Sequence, residues 1–408
     1  MLVGGKFVEC RKPMKILDFI EKKGNGNYYC YKTNKVSLDI TEHDILNYDD
    51  KPASSKKSSV FAETDNRRVH TVKIDADLIK DSRPIFSYFL DGSRHVYKVD
   101  DMAIGKRIFP ILAGQIIVGC CYRKDRDTFK PAKISQKLVL AMPDDFDIDD
   151  EGANFLRLYC EEINNELEKN PYIRNTSLRL NQILLYKTDG KDKYGNNSDK
   201  DNFKNRGTSI IQAEMTDEEQ RMVAQLCKEN KLNDETFLIK DGSLEYNPSF
   251  SNMDEGKRTM LRENYRYVVG VSKSFDPELI RDFEGQRLSK TIANLKPAER
   301  TKAYLYESDA NKENYAIWYL RLRKEGENDS FRETNFSDVI KCEMVMVDET
   351  EKIDTGLIDL ISANLVKEAY PVCYGNDSRW ANHLYPVYLT ESYCKSKYFS
   401  SDIILNLF

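Results

Sequence analysis

The chain has 408 residues, 40% hydrophobic and 32% charged, with 62 basic against 67 acidic side chains and a net charge of −5. That is enough for one large core or two to three average ones. It excludes recognition of nucleic acid through a basic tail, so any such contact has to come from a local groove. Nine cysteines lack metal-ligand spacing and no apolar run approaches the ~18 residues of a membrane span, so the sequence reads as a soluble, cytoplasmic protein with reduced thiols.

Residues 1–80 read as an N-terminal extension, a docking or dimerisation region. It holds a short amphipathic helix over 14–23, a Gly-Asn-Gly turn and a polar linker over 51–57. Sheet-like runs follow at 85–90, 95–99, 108–122 and 137–141, joined by short turns, which predicts an antiparallel meander. The first run ends in Asp91-Gly92-Ser93, so a carboxylate is delivered at a strand tip. An amphipathic helix is expected over 151–169, with Phe155, Leu156, Leu158, Ile163 and Leu167 as its apolar stripe. The stretch 187–207 has almost nothing a core can use and reads as a mobile insertion.

A strong helix is predicted over 208–231. Steps of about 100° put Ile211, Met215, Met222 and Leu226 on one face, with Glu218 and Glu219 at its margins. A carboxylate on a buried stripe is costly unless paired or metal-bound. Glu219 has the best inward spacing, with Glu218 and Glu214 as reserves. A second apolar run then ends in Asp241-Gly242-Ser243-Leu244, echoing the first tripeptide. If the two strands are neighbours their aspartates lie side by side, and close carboxylates repel unless a proton or cation lies between them. The competing reading is a hairpin turn, the commonest use of Asp-Gly.

A helix over 258–264 precedes a buried strand, 267–273, that ends in Ser272 and Lys273; a lysine there can hold a phosphate. Further strands are expected at 302–306, 315–323 and 339–347, then a helix over 354–368 and a tyrosine-rich closing stretch with Tyr385-Pro386. Tyrosines in such a stretch stack on single-stranded bases or, more often, fill a core.

In this order the two Asp-Gly-Ser motifs, the helix glutamate, Val269-Gly270-Val271-Ser272-Lys273 and Tyr385-Pro386 resemble the NurA nuclease family, from about residue 85 onward. The resemblance implies an α/β fold with an RNase H-like (PIWI-like) mixed sheet flanked by helices, here a domain over 81–408 with insertions. It implies a homodimer and Mn2+- or Mg2+-dependent cleavage of DNA, as exonuclease and single-strand endonuclease. It further implies a HerA-type hexameric ATPase partner, in DNA end processing or anti-phage defence. Carried across, Asp91, Glu219 and Asp241 are the metal ligands, and Lys273 and Tyr385 lie near the scissile group. One departure stands out: the family's late histidine falls where this chain has Tyr393. Either Glu391, Lys395 or His383 then takes that role, or the site is weakened. The rival expectations are a non-catalytic NurA-like subunit that binds DNA and caps an ATPase ring, and a PIWI-like guide-binding module.

Overall fold

The computed structural model describes the chain apart from residues 1–14, 25, 27, 32–34, 39–59, 126–127, 145–151, 170–173, 175, 177, 189–199, 246–254, 309–310, 324–334, 349–350 and 373–381. The linker expected at 51–57 lies outside the described residues. The early elements are α1 (Ile16–Lys23), β1 (Tyr28–Tyr31), β2 (Val36–Ser37), β3 (Thr71–Lys73) and α2 (Ala76–Asp81). The meander follows as β4 (Phe86–Ile104), β5 (Arg107–Arg123) and β6 (Phe129–Pro143), each antiparallel to the next. After α3 (Gly152–Leu167), β7 (Leu180–Tyr186) pairs in parallel with β6.

The helix α4 (Lys200–Lys228) leads to β8 (Phe237–Asp241), and α5 (Glu255–Asn264) leads to β9 (Val268–Ser272). Strand β8 runs parallel to both β4 and β9. The chain continues through α6 (Ser289–Ala293), β10 (Glu299–Thr301), β11 (Tyr304–Glu307), β12 (Asn314–Arg321) and β13 (Val339–Val345). It closes with α7 (Thr355–Glu368), α8 (Tyr385–Lys395) and α9 (Ser401–Leu407). Together the described strands form one mixed sheet with the central order β13-β9-β8-β4-β5-β6-β7. Helices flank it on both faces, a mixed α/β architecture in which most central strands are buried on both sides.

Side chains alternate between the faces of a strand, and the core follows that alternation. Leu90 and Leu238 pack with Met222, Val223 and Leu226 of α4 on one face. Phe89 and Ile239 pack on the other, with Ile358 of α7 and Val387 of α8. A third cluster joins α1, α3 and α9 to the far ends of β4, β5 and β6. No described helix is long and apolar enough to cross a membrane.

Four expectations change against this frame. The runs 85–90 and 95–99 are one strand, so Asp91 lies inside β4 and only Asp241 is a strand tip. The cause is Gly92, which stays extended and pairs with Val118 rather than turning. Helix α4 starts at Lys200, so 200–207 is ordered helix and not loop, because Phe203 is buried and Gly207 lets the helix close onto Leu112; the rest of that insertion, 189–199, lies outside the described residues. In α3 Ile163 and Leu167 are buried as expected, but so are Tyr159 and Cys160, whereas Leu158 is exposed. The described part of 1–80 is also built into the sheet: β1 and β2 pair with β4, and β3 pairs with β10. Glu63 is fully buried there against Arg300 and Lys302.

Candidate metal centre at the end of β8

Register places the two aspartates together. Leu90 of β4 pairs with Lys240 of β8, so Asp91 and Asp241 are the next residues on neighbouring parallel strands, on the same face as Phe89 and Ile239. Val271 pairs with Asp241 from the other side and points the same way, as does Lys273 two residues on. The Lys273 Nζ lies 2.8 Å from Asp241 Oδ2 and 3.3 Å from Glu391 Oε2 of α8. Lys395 Nζ donates to Glu391 Oε1 at 2.6 Å, and His383 Nδ1 stands 3.8 Å from Glu391 Oε2. Helix α8 reaches this close because position 119, opposite Asp91, is glycine; a Cβ there would collide with the Cys394 Sγ.

Electrostatics follow from burial. Asp91 is 5% exposed and its Oδ2 has no hydrogen-bond partner among the described residues. Burial first, then the charge of Asp241, pushes its carboxyl well above the usual carboxylate range, with Lys273 opposing. Burial also acts upward on Glu391, yet the Lys273 and Lys395 ammoniums bring it down to about 2. Lys273 is pulled down by burial but held above its ordinary value by Asp241 and Glu391. The result is a charged Lys273–Glu391 pair beside Asp91, whose own charge is disfavoured.

Glu219 is buried as its helical spacing predicts, but on the opposite face. Its Oε1 fills the place where a Cβ on Gly92 would sit, and its Oε2 is 2.9 Å from Lys240 Nζ. Burial and the nearby Asp241 raise its pKa while Lys240 works against both, burial being the largest effect. The sheet thus separates Glu219 from the Asp91–Asp241 pair, and Glu391 is the glutamate on their side. The reserves Glu214 and Glu218 instead both hold Lys137 and Arg221. Tyr385 opens α8 and makes no hydrogen bond to the carboxylates among the described residues.

The two similar tripeptides do different work. After Asp241 the chain turns at Gly242, whose φ of 85° suits glycine. Lys240 Nζ donates to the carbonyls of Asp241 and Ser243, both at 3.1 Å. Glu343 of β13 accepts the Ser243 hydroxyl at 3.0 Å and the Leu244 N–H at 2.7 Å, and Lys341 neutralises it at 2.5 Å. In the first tripeptide Gly92 makes room for Glu219, and the Tyr398 hydroxyl donates to Ser93 Oγ at 2.6 Å. Lys240, Lys341 and Glu343 were missed in the sequence, although charged residues inside otherwise apolar strands are a signal that something buried needs them.

As a ligand set, Asp91, Asp241 and Glu391 offer hard oxygens of the kind that Mn2+ and Mg2+ take. The Asp91 Oδ2 has no hydrogen-bond partner among the described residues, but the oxygens of Asp91, Asp241 and Glu391 are not gathered within 4.8 Å of one another. Among the described residues, three ligand atoms come within 4.8 Å of one another at His70, Asp282 and Glu284 instead. At the strand tips Asp241 and Glu391 are turned toward Lys273, so a cation there has to share them with its ammonium. No protein-family model matches this chain, and no curated protein matches it significantly.

Proposed function

We propose that this chain is a divalent-cation-dependent deoxyribonuclease of the NurA type, hydrolysing phosphodiester bonds as exonuclease and single-strand endonuclease. The observation that carries the reading is the register of β4 and β8, which sets Asp91 beside Asp241 at a buried, lysine-flanked position under α8. An antiparallel meander that continues into parallel strands, with carboxylates on the first strand and its parallel neighbour, supports the RNase H-like reading of the sheet. When bound, Mn2+ or Mg2+ supplies Lewis acidity: it compensates phosphate charge and lowers the pKa of water.

The chain's own residues do the rest. Asp91, Asp241 and Glu391 bind the cation, and Glu219 acts from across the sheet by neutralising Lys240 beneath Asp241. Lys273 orients Asp241 and Glu391 and keeps a positive charge where a phosphate arrives. Cys394 packs against Gly119 and shields the Asp91 side of the site from water. The mixed reading of partners carries over from the sequence: a homodimer working with a HerA-type hexameric translocase in end processing or anti-phage defence, since no phosphate-binding motif for ATP is present in the chain.

A second reading has its own observation. Lys240 and Lys273 already compensate Glu219 and Asp241, which suits a non-catalytic NurA-like subunit that binds DNA. Digestion of plasmid and single-stranded DNA with Mn2+, Mg2+ or EDTA, with and without a HerA-type ATPase, separates the two. The nuclease reading expects cation-dependent cleavage that Asp91→Asn and Asp241→Asn abolish with folding intact. Unchanged cleavage in both variants, or none with any cation and partner, overturns it.

A further inference from the structure

We propose that His70, Asp282 and Glu284 form a second divalent-metal site, with a ligand set suited to Zn2+, that ties the segment before β3 to the 281–287 turn. Asp282 and Glu284 are two residues apart in that turn while His70 comes from a remote segment, and none of the three takes part in the nuclease reading, on which this proposal does not depend. Their ligand atoms all fall within 4.8 Å of one another.

Asp282, which is buried, and His70, whose side chain is 40% exposed, are each held in place by other contacts. Asp282 is 4% exposed, and its Oδ1 accepts the N–H groups of Glu284 and Gln286 at 2.9 and 2.8 Å. That leaves Oδ2 facing His70. The His70 ring stacks on Phe283 at 4.9 Å between centroids, and its carbonyl accepts the Lys302 N–H at 3.1 Å. The turn itself is closed by the bridge between Arg281 and Arg287 and by Gly285, at a φ of 81°.

The spacing does not suit a hydrogen bond. His70 Nδ1 to Asp282 Oδ2 is 3.6 Å, whereas a charge-assisted bond would be about 2.7–2.9 Å. Nδ1 is a buried atom with no hydrogen-bond partner among the described residues. Two ligands bound at roughly 2.0–2.1 Å to one tetrahedral ion stand roughly 3.4 Å apart, close to the observed separation. An imidazole nitrogen with two carboxylates suits Zn2+ better than Mg2+, which prefers oxygen alone.

An independent observation points the same way. The Tyr304 hydroxyl, on a residue 1% exposed, also has no hydrogen-bond partner among the described residues. Tyr304 belongs to the same aromatic group as the ring holding His70, through Phe61 at 5.4 Å from Tyr304 and 5.8 Å from Phe283. A buried phenol in this aromatic group can donate to a water on a cation held there.

The test is calorimetric titration of EDTA-stripped full-length protein with Zn2+, and separately with Mg2+, for wild type, H70A, E284Q and D91N, each checked by circular dichroism. Co2+ loading adds a visible spectrum that reports nitrogen ligation. Wild type and D91N should both bind Zn2+ at this site far more tightly than Mg2+. H70A should weaken it by about a hundredfold and E284Q, at an exposed ligand, by about tenfold. Zn2+ binding that survives in folded H70A and E284Q, that vanishes only in D91N, or that is absent from wild type overturns the proposal.

Discussion

Replacing Lys273 by methionine tests the charge arrangement most directly. The ammonium is 7% exposed and sits between Asp241 and Glu391, with Asp91 beside them. Methionine keeps much of the side-chain length but leaves buried carboxylates facing each other without a cation. Removing one partner of a buried pair costs about 3–5 kcal/mol. For a chain of this size that corresponds to a fall in melting temperature of roughly 4–6 °C. A divalent ion at a hundred times its dissociation constant returns about 2.7 kcal/mol, so Mn2+ should recover much of the loss. The assay is thermal or urea unfolding of wild type and K273M in EDTA and in saturating Mn2+. Mn2+ should stabilise K273M more than wild type, because the ion no longer shares Asp241 with an ammonium. A K273M protein within about 1 kcal/mol of wild type in EDTA, or one that gains no more from Mn2+, refutes the reasoning.

Three other outcomes follow from the same geometry. Asp91 has its folded pKa raised above the ordinary 3.8, so the fold favours its protonated form; its contribution to stability is full below 3.8 and lost as pH rises through the folded value. Metal-free D91N should therefore unfold at higher temperature than wild type at neutral pH, the gap closing below about pH 4, as read in a melting series across pH. Glu391 has the opposite sign: with a folded pKa of about 2, it supports the fold above 4.5 and loses that support as pH falls toward 2. The advantage of wild type over E391Q should shrink over that window in acid titration followed by fluorescence. In G92A the new methyl collides with Glu219 Oε1 and disturbs its pairing with Lys240. Overpacking of this kind costs about 1–3 kcal/mol, and denaturant unfolding should show it, whereas G105A, at a turn where the added Cβ meets nothing within 4 Å, should show only the backbone strain of its φ of 58°.

The amino-acid sequence on its own specified the larger helices, most of the long strands, the burial of Glu219 and the repeated Asp-Gly-Ser, because periodicity and turn chemistry are local. It also pointed to Lys273 and to Glu391, His383 and Lys395 as residues around a missing histidine, and those three do gather at Glu391. Which face each side chain uses was decided only by tertiary structure. Strand alternation and the register of β4 on β8 send Asp91 and Asp241 toward α8 while Glu219 stays under Gly92, and no spacing within α4 can reveal which side of a sheet the helix covers. The same holds for Glu343 beneath Ser243 and for His70 facing Asp282: both pairs join segments remote in the chain, and only the folded chain brings these side chains within reach of each other.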